Sequence, residues 1–283
     1  MDFRRKDGEG EHSVELREKN GVFYFSFPLL ERCPQVAHGF STRLGGVSKG
    51  EFATMNFSFT RGDRREDVEE NYKRMGEALG MPWRRAVLSH QTHTTTVGKV
   101  TEEDAGKGVT RERDYRDVDG LITNVRQLPL VTFYADCVPL YFVDPVHGAI
   151  GLSHSGWRGT VGRMGRETLR RMGEAYGTDP KDVLACVGPS ICRDCYEVGR
   201  DVAEAFAAGF SPVQQTEILR EIGRGKFLLD LWKANELILL EAGIRRDHLA
   251  VTDVCTKCNP HLLYSHRVMG ERRGNLAAFL MLL

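Results

Sequence analysis

Apolar positions in this chain fall into short β-branched and aromatic runs, separated by a few stretches of helical period. The runs are Val22 to Phe27, Thr95 to Val100, Leu130 to Tyr134, Pro139 to Val143, Ala149 to Leu152, Val183 to Val187, Ala250 to Val254 and Ala277 to Leu282. Each predicts a strand. Asp63 to Gly80 predicts a helix that opens on a capping box, Asp63 with Glu66. Thr160 to Tyr176 repeats apolar residues at Val161, Met164, Leu169 and Met172 and stops at Gly177, with Pro180 beyond. Asp201 to Ala208 predicts a short helix, and Asp230 to Ala242 one that ends at Gly243, a left-handed cap position. Several strands per helix without strict alternation predict an α+β (mixed α/β) fold, with mixed sheets packed together and covered by helices. No repeat, low-complexity segment or Pro/Ser linker divides the chain. Residues 21–283 therefore read as a single domain behind a charged tail, residues 1–20, that is mobile or packed at an edge. Glu102 to Asp117 reads as a long polar surface loop, and Pro139 as a strand interruption.

Composition narrows the function classes. A hydrophobic content of 41% and a charged content of 28% are those of a soluble globule. Lys plus Arg (39) equals Asp plus Glu (39), so no global field draws the chain to nucleic acid or an anionic membrane. The basic stretch Arg163 to Arg171 reads as the solvent side of a helix. No apolar run approaches the roughly 20 residues that cross a bilayer. The charged first twenty residues lack the apolar segment of a signal peptide, and seven cysteines is an odd count. Reduced thiols in a cytoplasm are the expectation.

Candidate chemistry sits where predicted strands end. His93 closes Leu88-Ser-His-Gln-Thr-His93, Cys137 follows Leu130 to Asp136, and His154 follows Ala149 to Ser153. A single cysteine in an apolar strand is more often an inert core residue. Here Asp136 lies beside it and His154 follows 17 residues later, the span of one hairpin. Two imidazoles and a thiolate make a three-ligand set that leaves one tetrahedral zinc position open, as catalytic sites do. The loop His38-Gly-Phe-Ser41-Thr-Arg43-Leu-Gly-Gly-Val-Ser48 offers amides and a guanidinium to an anion. His38 and His266 read as pocket residues, whereas His90, three positions before His93, reads as facing away. Gly151 to Thr160 breaks a strand into a glycine-punctuated turn that carries His154, Trp157 and Arg158 into a helix start. Two C-x-x-C pairs, Cys192/Cys195 and Cys255/Cys258, are separated by 59 residues, too far for a zinc ribbon. They read as reduced, partly buried thiols.

Eight ordered motifs carry a resemblance over Val22 to the carboxyl terminus. They are His38-Gly-Phe-Ser-Thr-Arg43, Gln91-Thr-His93, Asp119-Gly-Leu-Ile-Thr, Ala135-Asp-Cys137-Val-Pro, His154-Ser-Gly-Trp-Arg-Gly159, Gly188-Pro-Ser-Ile with Cys195-Tyr-Glu-Val-Gly, Cys255-Thr-x-Cys-Asn and Ser265-His-Arg267. Together they resemble the YfiH/YlmD family of laccase-domain proteins, long labelled polyphenol oxidases and described as zinc-dependent purine nucleoside phosphorylases with adenosine deaminase activity. The resemblance implies zinc on His93, Cys137 and His154, with purine nucleoside and phosphate as substrates. It implies Arg43 at substrate or phosphate, with Ser41, Gln91, Arg158 and His38 as further substrate contacts. Two positions depart from the family pattern: Tyr72 where relatives often have Arg, and Val268-Met269 where a second Arg and an Asp are usual.

The chemistry can be weighed without the family. A laccase needs a trinuclear copper cluster held by His-x-His pairs, and none of the nine histidines is so spaced. Zinc-assisted deamination of adenosine needs an acid/base other than the nucleobase deaminase signature, which is missing; Asp136 is the candidate. Phosphorolysis needs an anion site, for which Arg43 and Arg158 are the expected cations. Two rivals remain. One is a metal-free cysteine hydrolase or deamidase with Cys137 as nucleophile and His154 as base. The other is a non-catalytic nucleoside-binding protein. The expectation is a monomeric zinc enzyme with about one zinc per chain and catalytic residues among His93, Asp136, Cys137 and His154. Adenosine and inosine head its substrates, ahead of guanosine and methylthioadenosine.

Overall fold

The computed structural model describes residues 2–6 and 12–283. In chain order the strands are β1 (Glu15–Lys19), β2 (Val22–Ser26), β3 (Val36–Ser41), β4 (Val87–Leu88), β5 (Val97–Lys99), β6 (Gly120–Thr123), β7 (Leu130–Tyr134) and β8 (Val138–Asp144). Then follow β9 (Ala149–Ser155), β10 (Leu184–Val187), β11 (Glu197–Gly199), β12 (Leu219–Gly223), β13 (Lys226–Leu229), β14 (Leu249–Val251) and β15 (Leu276–Leu282). The helices are α1 (Pro28–Glu31), α2 (Arg65–Leu79), α3 (Trp157–Val161), α4 (Met164–Tyr176), α5 (Arg200–Gly209), α6 (Pro212–Ile218), α7 (Leu231–Glu241) and α8 (His266–Met269).

Two six-stranded sheets form the body, in the orders β1-β2-β3-β15-β7-β4 and β14-β10-β8-β9-β6-β5. Both are mixed: β4–β7, β10–β14 and β5–β6 pair in parallel, and the other neighbours are antiparallel. A small sheet, β11-β13-β12, stands apart. The central core lies between the large sheets, where Phe25, Phe40, Leu130 and Leu280 of one meet Tyr141, Ile150 and Leu152 of the other. Helix α2 covers the outer face of the first sheet through Val68, Tyr72 and Met75 against Val131 and Phe279. Helices α4, α5 and α7 cover the second, with Leu169, Met172, Phe206 and Ile238 on Ile122, Leu140 and Phe142. Each sheet is thus buried on both faces, which explains the unbroken apolar runs in its central strands.

The predicted strands all appear. Glu15–Lys19, Val36–Ser41 and Gly120–Thr123, whose polar and small residues hide the period, join them. The second half of the charged amino-terminal stretch supplies the outer strand β1; residues 7–11 lie outside the described ones. Three local expectations are corrected. Asp63 does not cap α2: its carboxylate accepts from Arg64 N and Asn56 Nδ2, and Arg64 takes the N-cap position without a side-chain bond. The helix read from Thr160 is two, because Arg163 turns left-handed (φ 60°) between α3 and α4. Pro139 lies inside the continuous strand β8, paired with His154, near its first residue where the missing N–H costs least. Among the described residues no helix is long and apolar enough to cross a membrane.

Candidate metal centre

His93, Cys137 and His154 converge. Their ligand atoms all lie within 4.8 Å of one another. Cys137 Sγ is 3.9 Å from His93 Nε2, close to the about 3.6 Å that a sulfur and a nitrogen span on one tetrahedral zinc. The two imidazoles meet edge to face, with centroids 5.0 Å apart. The three donors therefore fit a metal ion that keeps one position free.

The fold delivers each ligand by a separate route. β8 and β9 form an antiparallel hairpin in which Pro139 opposes His154, so His154 stands across from the strand that Cys137 opens. Asp136, left-handed at φ 87°, turns the chain from β7 into that strand. His93, also left-handed at φ 66°, comes from the loop between β4 and β5. Non-glycine residues rarely adopt this conformation, and they concentrate where surrounding structure holds a functional group in place. Gly156 completes the enclosure. A Cβ there would lie 2.8 Å from His93 Cδ2 and 3.1 Å from Cys137 Sγ, so only glycine lets α3 start so close.

Asp119 is the residue that sequence reasoning missed. It is fully buried, and its Oδ1 meets His154 Nδ1 at 2.8 Å. The same carboxylate accepts the backbone N–H groups of Thr92, His93 and Thr94, each at 3.0 Å. One side chain thus sets the ring of one ligand and the loop of the other, leaving His154 Nε2 to face Cys137. Carboxylates behind metal-binding imidazoles fix tautomer and orientation in this way. Its signal was present, an aspartate opening the apolar strand Gly120–Thr123, but it marked the start of a strand and not its end.

The electrostatics follow from this packing. Burial by itself would raise the Cys137 thiol, but His154 and His93 outweigh it and draw its pKa down to about 6. Burial would lower His154, yet the Cys137 thiolate and Asp119 lift it to about 9. Burial would likewise raise Asp119, and its bond to His154 leads the contacts that hold it below the usual carboxylate range. Without a metal the cluster is a thiolate–imidazolium pair backed by a carboxylate.

A cavity of about 840 Å³ opens over the three ligands. Gln91 lines it, with its amide already bonded to Ser89 and to Phe133 N and O. His266 lines it as expected, and so does His90, which was read as facing away. Four expected contacts lie elsewhere. His38 is a core histidine whose Nε2 accepts from Phe27 N at 2.9 Å. Ser41 is buried and caps Ala277 N. Arg43 donates to Ala53 O and Pro260 O and packs over Tyr264, so its guanidinium holds loops together. Arg158 is exposed and stacks on Trp157. Asp136 does not face the cavity either: its oxygens accept from Thr256 Oγ1 at 2.6 Å and Arg267 N at 2.7 Å. It positions the turn before Cys137.

The cavity's cations are instead Arg61, Arg113 and Arg273. Arg273 is 6% exposed; burial draws its pKa down to about 10, and its Nε has no hydrogen-bond partner among the described residues. Arg113 comes from the stretch read as a surface loop, which folds over the cavity rim.

The two C-x-x-C pairs correct the reading of dispersed thiols. Cys192, Cys195, Cys255 and Cys258 bring their sulfurs within 4.8 Å of one another, forming a second group able to hold a metal.

Comparison with known proteins places this geometry. The family model described as "Multi-copper polyphenol oxidoreductase laccase" matches residues 37–283. Purine nucleoside phosphorylase YlmD of Bacillus subtilis is 36% identical over 87% of this chain and 88% of its own. A protein from an unknown prokaryotic organism, adenosine deaminase RL5, is 31% identical over 83% of this chain and 90% of its own. The crystal structure of YlmD from Geobacillus stearothermophilus superposes with a TM-score of 0.87 at 34% identity, covering 96% of this chain and 99% of that one. The chain belongs to the YfiH/YlmD laccase-domain family.

Proposed function

We propose that this chain is a zinc-dependent purine nucleoside phosphorylase acting on adenosine and inosine, with an accompanying adenosine deaminase activity. One observation carries the reading: His93, Cys137 and His154 converge at the base of a cavity that also holds three arginines. Two nitrogens and a thiolate suit zinc, and the vacant fourth position suits catalysis. A zinc ion bound there supplies Lewis acidity toward a polar atom of the substrate. The names of the relatives, a phosphorylase and a deaminase, support the substrate class.

The chain's own residues do the remainder. Asp119 keeps both imidazole ligands oriented. In phosphorolysis a phosphate oxygen bonds to ribose C1′, the bond from C1′ to purine N9 breaks, and the base departs with that electron pair and takes up a proton. Arg61, Arg113 and Arg273 supply the charge that holds phosphate, and the unpartnered Nε of Arg273 is a donor ready for one of its oxygens. His90 and His266 are the further imidazoles in the cavity, in place to exchange protons with the base. Deamination replaces the purine amino group with oxygen from water and releases ammonia, without phosphate. The seven cysteines, none in a disulfide, suit a cytoplasmic enzyme, and one chain contributes every group named.

A metal-free cysteine hydrolase is the second reading, favoured because Cys137, His154 and Asp119 stand in nucleophile, base and carboxylate order. It leaves His93 without a role. The deciding experiment supplies adenosine and inosine to the purified protein with and without phosphate, and to Cys137→Ala. Phosphate-dependent release of free base, lost in the variant, is expected; ammonia from adenosine without phosphate reports the second activity. Full turnover in Cys137→Ala, or tight nucleoside binding with no turnover, overturns the proposal.

A further inference from the structure

We propose that Cys192, Cys195, Cys255 and Cys258 form a second, structural zinc site, a closed tetrathiolate that clamps two loops and through them steadies Cys137. The 59 residues between the pairs do not separate them in space. β10 and β14 are parallel neighbours, with Ala185 to Val187 paired to Leu249 to Val251. The loops at their carboxyl ends therefore leave the sheet side by side, and a further parallel bridge joins Ser190 to Cys255. Each loop then turns through a C-x-x-C.

The sulfur geometry suits a metal better than a disulfide. Cys195 Sγ lies 3.5 Å from Cys258 Sγ, where a disulfide needs about 2.05 Å and the edge of a zinc tetrathiolate is about 3.8 Å. Cys192 and Cys255 are buried and Cys195 and Cys258 half-buried, so the cluster is shielded but reachable. The Cys192 N–H donates to Cys255 Sγ at 3.3 Å, the kind of amide contact that orients a thiolate ligand. Lys6 lies beside Cys192 and also bonds Asp194 at 3.2 Å, adding positive charge where four thiolates and one zinc would carry a net negative charge.

The clamp reaches the other centre directly. Ile191 N, one residue before Cys192, donates to Asp136 O at 3.0 Å. Thr256 Oγ1, one residue after Cys255, donates to Asp136 Oδ1. Both loops thereby hold the left-handed residue that presents Cys137.

The site stands on geometry independent of the proposed activity, and its test uses the whole protein. Metal analysis of the purified chain is expected to find two zinc equivalents. Cys137→Ala should retain one of them, while Cys195→Ser with Cys258→Ser should also retain one and lose at least about 5 °C of melting temperature. Cobalt substitution needs no variant in the cluster. In Cys137→Ala the cobalt protein is expected to keep intense sulfur-to-metal charge-transfer bands, which only the four thiolates can then supply. Absence of those bands, or a disulfide among the four cysteines in the native protein, overturns the site. Loss of nucleoside turnover in Cys137→Ala with the tetrathiolate zinc intact would leave the two proposals separately judged.

Discussion

Two sulfur-containing clusters lie on neighbouring loops of this molecule, and they differ in the one respect that separates chemistry from architecture. The group around Cys137 has three donors, a carboxylate behind one ring and a cavity in front. The group around Cys192 has four donors of one kind, half of them buried, and is not among the residues that line that cavity. Three donors leave room for a substrate; four thiolates leave none. The comparison also explains why Asp136 serves both. It receives bonds from the loops of the second cluster and passes their position to the first ligand along the chain.

Exhaustive chelation should break the comparison most sharply. A chelator can attack an ion with a vacant coordination position and has no such entry at a shielded tetrathiolate. Mild chelation is therefore expected to lower nucleoside turnover at least about a thousandfold, the scale of several kcal/mol of metal assistance. One zinc equivalent and the melting temperature should survive. Simultaneous loss of both equivalents would show the two clusters to be alike. The next effect is smaller. Asp119→Asn keeps the volume but weakens the bond to His154 and the anchors of the His93 loop, and should cost about 10- to 100-fold in metal affinity or activity. Zinc content in the tetrathiolate, measured on the same sample, should not change.

The two clusters also differ in how far the sequence revealed them. His93, Cys137 and His154 each follow an apolar run, and that local pattern survives folding because strand ends deliver side chains to a shared surface. The tetrathiolate depends on β10 and β14 lying side by side in parallel, a long-range fact that no local period encodes. Arg43 failed as a substrate contact for a similar reason. Its glycine-rich loop looks like an anion cradle, but nothing local shows that Ala53 and Pro260 carbonyls take up its donors. Arg113 was hidden in a stretch whose polarity suggested solvent, while its guanidinium bonds Ser89 O at the cavity rim. Tyr72, a departure from the family pattern, proves to be core: it stacks on Phe59 at 5.4 Å and donates to Phe57 O, so the substitution acts behind the cavity wall.

The arginines sharpen the comparison from the substrate's side. Arg273→Gln removes a buried cation from the first cluster's cavity and leaves the second cluster untouched. A charge-assisted hydrogen bond contributes about 1.5–3 kcal/mol, so the KM for phosphate should rise about tenfold or more while deamination, which uses no phosphate, changes little. Equal losses in both reactions would assign Arg273 to the nucleoside or to the fold.

The smallest effect isolates what the first cluster does to an imidazole. His38 and His154 are both almost wholly buried, yet burial alone takes His38 down to about 4, whereas Cys137 and Asp119 lift His154 to about 9. His38 belongs to neither cluster and is held neutral as the acceptor for Phe27 N. Its folded pKa lies below the unfolded value near 6.5, so between these limits the unfolded chain binds the extra proton. Its contribution is complete above pH 6.5 and shrinks as pH falls towards 4, by about 1 kcal/mol between pH 6 and pH 5. His38→Gln keeps an acceptor for Phe27 N and does not titrate. Comparing denaturant midpoints of the two proteins across that window should therefore show a shallower decline for the variant, at unchanged m-value. Parallel declines would mean that His38 takes up a proton while folded, and that burial without a thiolate or carboxylate partner does not set its charge.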